Sequence, residues 1–145
     1  MPGCNSQERD RRVTLGTEVH FFLAEKDFAP HEKCIAYAQG MNSTGGKANY
    51  KVYPDTYHVF DGSRKHVWSA TQEVYADCGN EFIAPGHSVR LDSGAALRTQ
   101  KDWNAFFAGC VKRGAWVGGN PEATRQLDDD WAIIVKRRLL GVQGG

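Results

Sequence analysis

The chain has 145 residues, of which 41% are hydrophobic and 24% are charged, and it contains 16 glycines and 5 prolines. This is the composition of an ordinary globular domain, and it excludes a disordered tail, a collagen and a coiled coil. The 18 basic and 17 acidic residues give a net charge of +1. The chain therefore has no general positive field for nucleic acid or for an anionic membrane.

The sequence also lacks segments that would direct the chain into or across a membrane. No apolar run approaches the roughly 18 residues that a membrane span needs. Residues 1–10 contain no apolar stretch typical of a signal peptide. We therefore expect a single domain over residues 1–145, with no membrane or nucleic-acid partner, and a cytoplasmic location by default.

The clearest supersecondary pattern lies in residues 19–53. Val19–Ala24 is a short, nearly continuous apolar run with two phenylalanines, which favours a buried strand over a helix. Pro30 suits the first turn of a helix that is predicted to stop at Gly40. Asn49–Tyr53 has the composition of a second strand. The segment therefore predicts a β-α-β unit with two parallel strands.

The remaining segments before the C-terminal helix have weaker patterns. Residues 1–18 are polar, and we expect them to be irregular. Asp55–Asp92 shows little periodicity apart from a small hairpin predicted around Pro85 and Gly86. Asp102 is predicted to cap a short aromatic helix.

The final helix has the strongest local signals. Asn120 is a good N-cap, Pro121 fits the first helical position and Glu122 lies in the first turn. Gly141 is predicted to end the helix, and the glycine-rich segment 114–119 is interpreted as the loop that enters it. One apolar stripe is predicted from the three- and four-residue spacing of Ala123, Leu127, Trp131, Ile134, Val135 and Leu139.

Two loops carry residues suited to catalysis. Asp27 comes just after the first predicted strand and His58 just after the second. Because catalytic groups gather at the carboxyl ends of parallel strands, we expect these side chains to meet. A carboxylate on one imidazole nitrogen fixes the tautomer and stabilises the imidazolium formed when the other nitrogen takes a proton. The histidine can then act as a general base and later as a general acid.

The segments around these two residues resemble the C-terminal half of the dienelactone hydrolase family. The resemblance rests on Glu-Lys-Asp-x-x-Pro at 25–30 and Tyr-Pro-x-x-Tyr-His-x-Phe-Asp at 53–61. Residues 2–4 and Cys110–Thr124 also resemble segments of some members. The family implies an α/β fold: the C-terminal part of an α/β-hydrolase fold, with a β-α-β unit, an irregular or hairpin insertion and a closing amphipathic helix.

The resemblance also implies an activity. Members of the family hydrolyse esters and lactones with a Cys or Ser nucleophile, a His and an Asp, and they use no metal and no organic cofactor. By this resemblance Asp27 is the acid and His58 is the base. No nucleophile elbow of the form Gly-x-Ser-x-Gly or Gly-x-Cys-x-Gly is found. The nearest match, Gly-His-Ser-Val-Arg at 86–90, ends in arginine.

The missing nucleophile leaves three interpretations open. In the family it precedes the acid, and the residues before Asp27 are too few for its strand and elbow. The chain is then a fragment or one part of a split hydrolase, a non-catalytic binding or scaffold domain, or a stand-alone hydrolase using Ser88 or Cys4. Because Val19–Ala24 would lack its outer neighbour strand, we expect self-association or a partner chain that supplies the missing half. The implied substrate is a small ester or lactone.

The cysteines allow two readings. Four cysteines are too few for a disulfide scaffold, and no C-x-x-C pair supports a metal site. We expect free or buried thiols, as in a reducing compartment. If the protein is exported, the alternative is a disulfide between Cys4 and Cys34 and another between Cys78 and Cys110.

Overall fold

The computed structural model describes residues 4, 6–8, 14, 16–84 and 86–141. Helices and strands are mixed along these residues, which confirms the α/β class. The elements in chain order are β1 Ser6–Glu8, β2 Glu18–Ala24, α1 His31–Ser43, β3 Lys47–Tyr53, β4 Val67–Val74, β5 Asn80–Ala84, β6 His87–Arg90, β7 Ala96–Leu97, α2 Gln100–Cys110, β8 Lys112–Val117 and α3 Pro121–Leu140.

The predicted β-α-β unit is present. β2 and β3 pair in parallel from Glu18 opposite Lys47 to Ala24 opposite Tyr53, and α1 connects them. The predicted stop of the helix at Gly40 is wrong, because α1 continues for three more residues. Near its end the Asn42 side chain accepts from the Ala48 amide at 2.7 Å and donates to the Ala48 carbonyl at 2.9 Å. This pair of bonds ties the helix end to the start of β3.

The other strands form two further sheets. β1 pairs in parallel with β5, and β5, β6 and β7 continue antiparallel. The predicted hairpin is the β5–β6 turn at Gly86, and Pro85 lies outside the described residues. The expectation that residues 1–18 are irregular is wrong at β1 and at Glu18, the first residue of β2.

β4 and β8 form an antiparallel pair that was not predicted from the sequence. Most of the segment 114–119, interpreted as a loop, belongs to β8. Gly114 occurs in this strand because of close packing: a Cβ at that position would lie 2.7 Å from the Trp68 ring. The glycine makes room for a ring and does not mark a flexible connection.

The helix ends follow the predicted chemistry in part. Asn120 caps α3 by accepting from the Glu122 and Ala123 amides, and Gly141 ends the helix in the left-handed conformation, as predicted. For α2 the predicted cap is wrong by one turn. Thr99 is the N-cap, and Asp102 completes a capping box from the third helical position.

The core at the site consists of Ala24, Tyr53, Phe60 and Ala123, with Phe22 and Leu127 packed against it. The stripe on α3 is therefore buried only at its start: Leu139, at its far end, is 77% exposed. None of the helices in the described part of the chain is both long and apolar enough to cross a membrane.

All four cysteines are paired in the structure, by the disulfides Cys4–Cys34 and Cys78–Cys110. The favoured reading of free thiols is therefore wrong. The fold brings the Cα atoms of the pairs to 5.0 and 5.2 Å, separations that a disulfide can span.

Asp130 fastens α3 to the parallel strands. Its carboxylate accepts from the Tyr53 hydroxyl at 2.7 Å and from the Lys51 ammonium. The bond from Lys51, followed by the bond from Tyr53, holds the pKa of the Asp130 carboxyl below its ordinary value. Burial raises the pKa of Tyr53 well above its usual range, so the hydroxyl remains a donor.

We expect Asp130→Asn to lower the free energy of unfolding at pH 7 by about 1 kcal/mol, because it removes hydrogen bonds to a charged acceptor. A carboxyl whose pKa is lower in the folded state stabilises the fold above its unfolded pKa, near 4. That contribution is lost as the pH falls through the folded pKa. Urea unfolding of both proteins at pH 7 and pH 3 should show the difference shrinking at pH 3, and an unchanged difference would contradict this role.

Candidate active site

The two side chains expected to meet are in contact. His58 Nδ1 lies 3.0 Å from Asp27 Oδ2, at the point where the chain leaves β3 and β2, respectively. The other carboxylate oxygen, Oδ1, accepts from the Ala29 amide at 2.9 Å, which fixes the carboxylate plane. The His58 side chain is 33% exposed and the Asp27 side chain is 19% exposed. A partly buried carboxylate–imidazole dyad therefore lies at the carboxyl ends of two parallel strands.

The loops that carry the dyad are fastened to each other by Thr56. Its side chain is fully buried, and its hydroxyl donates to the Tyr53 carbonyl at 2.6 Å and accepts from the Glu25 amide at 3.2 Å. Its carbonyl accepts from the Lys26 amide at 2.8 Å. These bonds extend the β2–β3 pairing beyond the strands, and they fix the spacing between the acid loop and the histidine loop.

We expect Thr56→Val to destabilise the protein by about 1 kcal/mol, because the buried hydroxyl no longer donates to the Tyr53 carbonyl or accepts from the Glu25 amide, which keeps only its bond to that carbonyl. Thr56→Ser keeps the hydroxyl and is the matched control, with a smaller loss. Thermal unfolding followed by circular dichroism measures both variants. Equal losses for valine and serine would show that the methyl group matters and the hydroxyl does not.

The His58 ring and backbone are held from two further sides. The Phe28 ring lies against the imidazole, with centroids 4.4 Å apart. The His58 carbonyl accepts from the Gly118 amide at 3.0 Å, directly after β8. Gly118 has φ +125°, and a Cβ there would lie 2.5 Å from the Lys65 carbonyl oxygen. A glycine is therefore required where the chain passes His58.

The dyad faces a cavity of about 390 Å³. Its walls are largely apolar. The end of β2 contributes Phe22 to them, and the first half of α3 contributes Leu127. Within the described residues, nothing hydrogen-bonds to Nε2 of His58. The histidine therefore has one nitrogen on the carboxylate and the other available to a reacting group.

The two nucleophiles considered from the sequence are not placed to serve this histidine. Cys4 is bonded to Cys34. Ser88 is buried in β6, opposite Phe82 and Leu97, and does not line the cavity. The described lining contains no serine, no threonine and no free cysteine. The stand-alone interpretation with Ser88 or Cys4 therefore has no support in the geometry.

The other histidines were assigned no role from the sequence. His31 lines the same cavity as the dyad, and its Nε2 lies 3.5 Å from Glu32 Oε1. His20 contacts Glu18 at 3.1 Å, and His87 is exposed on β6. Across the described ranges, no three His, Cys, Asp or Glu side chains are grouped so that they could hold a metal ion.

Comparisons with known proteins add no further assignment. No protein-family model matches the chain, and neither a curated protein nor a solved structure matches it significantly. The contact between Asp27 and His58 and the sequence resemblance are therefore the two observations that bear on function.

Proposed function

We propose that the chain supplies the acid and the base of an ester- or lactone-hydrolysing site similar to that of the dienelactone hydrolase family, within an α/β-hydrolase fold. The contact between Asp27 and His58 is the observation that carries the proposal. A carboxylate in this position holds the proton on Nδ1 and leaves Nε2 free to accept one. The adjoining apolar cavity suits the hydrocarbon part of a small ester.

The chemistry proposed for the dyad has two half-reactions. In the first, Nε2 takes the proton of a serine or cysteine nucleophile as its oxygen or sulfur bonds to the carbonyl carbon, and it returns that proton to the leaving alcohol. In the second, Nε2 takes a proton from water as the water oxygen bonds to the acyl carbon. It then returns that proton to the oxygen or sulfur of the nucleophile as the bond to the acyl group breaks and the acid is released. Asp27 stabilises the imidazolium formed in each half-reaction.

The nucleophile is proposed to come from a segment outside residues 1–145 or from a second chain. β2 is at one edge of its two-stranded sheet in the described structure, and its last three residues line the cavity. A strand added parallel to β2 at that edge would bring its carboxyl end to the side of the sheet where Asp27 and His58 lie. The same edge accounts for the expected self-association. The two disulfides favour an oxidising compartment over the default cytoplasmic location.

The test is hydrolysis of p-nitrophenyl acetate and dihydrocoumarin by the isolated chain and by the native protein or complex that contains it. We expect hydrolysis only in the native assembly, with labelling of its nucleophile by a fluorophosphonate or an iodoacetamide probe. An assembly with neither turnover nor labelling would instead support the alternative of a non-catalytic binding or scaffold domain.

A further inference from the structure

A row of aromatic rings extends from the histidine loop onto the β4–β8 sheet. We call this row the aromatic platform; it consists of Tyr57, His66, Trp116 and Trp68. The Tyr57 and His66 rings stack with centroids 4.1 Å apart and an interplanar angle of 17°. His66 lies 4.7 Å from Trp116, and Trp116 lies 5.9 Å from Trp68. The last two pairs are tilted by 39° and 71°, so the rings form a row of contacts that presents several separate ring faces.

The strand register builds this platform. Trp68 and Trp116 are directly opposite each other in the antiparallel pair, so their side chains project from the same face. Gly114, two residues before Trp116 on the same strand, leaves room for the Trp68 ring to lie across the strand. The indole rings are therefore held in place by the sheet itself.

The platform is open to solvent. Trp68 is 55% exposed and Trp116 is 46% exposed. Contiguous exposed apolar surface of this kind marks a binding site more often than isolated exposed side chains do. An aromatic or aliphatic ligand gains binding free energy mainly from being enclosed by apolar surface, and an open row of rings does not enclose it. A sugar ring suits the surface better, because its C–H face can lie on an aromatic ring while its hydroxyl edges remain hydrated.

Polar groups for those hydroxyls lie at one end of the platform. His66 also lines a cleft of about 500 Å³ between the 61–66 loop and the start of α3. Arg64, Lys65 and Asp128 line the same cleft and offer donors and an acceptor. The cleft has three cations, Arg64, Lys65 and Arg125. They are offset by Asp61 and Asp128 in the lining and by Glu122, which is paired with Arg125. The whole chain has a net charge of only +1. This charge balance favours a neutral ligand over a nucleic acid.

We propose that the aromatic platform and its adjoining cleft bind a neutral oligosaccharide. The platform meets the dyad at two places: Tyr57 directly precedes His58, and Val117, next to Trp116, forms a bridge with His58. The platform is therefore joined through the backbone to the loop that carries His58. The binding itself does not require the dyad, so it is separable from the proposed function.

The test is affinity electrophoresis of the folded chain in native gels containing xylan, glucomannan or hydroxyethylcellulose. We expect at least one of these polysaccharides to retard the protein. Trp68→Ala and Trp116→Ala should each weaken binding by about tenfold, the loss of one stacked ring, and Trp116→Phe should retain most of it. Trp131→Ala removes an exposed tryptophan of α3 outside the platform and should bind like the wild type. His58→Ala should also bind normally, even if it abolishes hydrolysis.

Three results would overturn the proposal. The first is no retardation by any of the three polysaccharides. The second is an equal loss in Trp131→Ala. The third is evidence for a different occupant of the platform. Retardation by a single-stranded DNA oligonucleotide alone would indicate a nucleic acid, and a dimer in gel filtration that Trp116→Ala dissociates would indicate a second copy of the chain. Circular dichroism of each variant separates a loss of binding from a loss of folding.

Discussion

Replacing His58 with alanine is expected to lower kcat/KM for ester hydrolysis by about a thousandfold or more in the native assembly. Without the imidazole, no group takes the proton of the nucleophile or returns it to the leaving alcohol. Asp27→Asn should cause a loss of similar size, because an amide in that position can hold the wrong imidazole tautomer. Both losses should fall on kcat more than on KM, since neither residue is proposed to bind the ground-state substrate.

His31→Ala is the matched control for this experiment. His31 lines the same cavity, but it contacts Glu32 and not the dyad carboxylate. We expect His31→Ala to change kcat by less than about threefold. Steady-state kinetics with p-nitrophenyl acetate measure all three variants. Equal losses in the His31 and His58 variants, or a His58 variant close to wild-type activity, would contradict the assigned base.

Removing the disulfide between Cys78 and Cys110 should cost about 3–4 kcal/mol of unfolding free energy, from the lost constraint on the unfolded chain. The bonded cysteines are 32 residues apart. The bridge also lies in a core: Cys78 is buried with Leu97 and Phe106 under the α2 aromatics. A loss on this scale is a large part of the total stability of a small domain.

The double variant Cys78→Ala/Cys110→Ala tests this expectation by urea unfolding with and without a reductant. The wild type should lose stability when it is reduced, and the variant should respond only through the Cys4–Cys34 bridge. An unfolding midpoint unchanged by the double substitution would show that the disulfide adds nothing to the fold.

The first half of the fold was predictable because its signals are local. Val19–Ala24 is apolar enough to be a buried strand, and Pro30 marks the start of the helix that follows. Parallel strands place the loops that follow them at the same edge of the sheet. The contact between Asp27 and His58 was predicted on this basis. A histidine and a carboxylate 31 residues apart thus met through topology, without any pattern that joins them directly.

The β4–β8 pairing could not be predicted in the same way. Val67 and Val117 are partners far apart in sequence, and neither strand alternates clearly. The glycines in β8 and directly after it resemble a loop signal, although Gly114 and Gly118 are required by close packing against Trp68 and Lys65. Whether the cysteines form disulfides depends on the redox state of the compartment, and the sequence showed no signal that identifies the compartment.

The supporting residues of the site also escaped prediction. Thr56 lies inside the Tyr-Pro-x-x-Tyr-His segment, but nothing local indicates that its hydroxyl joins the two loops. The Phe28 contact with His58 likewise depends on the turn taken after β2. The cap of α2 was predicted at Asp102 because aspartate is a common N-cap, whereas Thr99 caps the helix and Asp102 completes the capping box from the third helical position.

The most direct test of the dyad is the proton between His58 and Asp27, observed by nuclear magnetic resonance on the chain labelled with ¹⁵N at histidine. We expect neutral His58 to carry its proton on Nδ1, with a proton resonance that the carboxylate shifts far downfield and that is lost in Asp27→Asn. A neutral His58 protonated at Nε2, or an Nδ1 proton that Asp27→Asn leaves unchanged, would contradict this expectation.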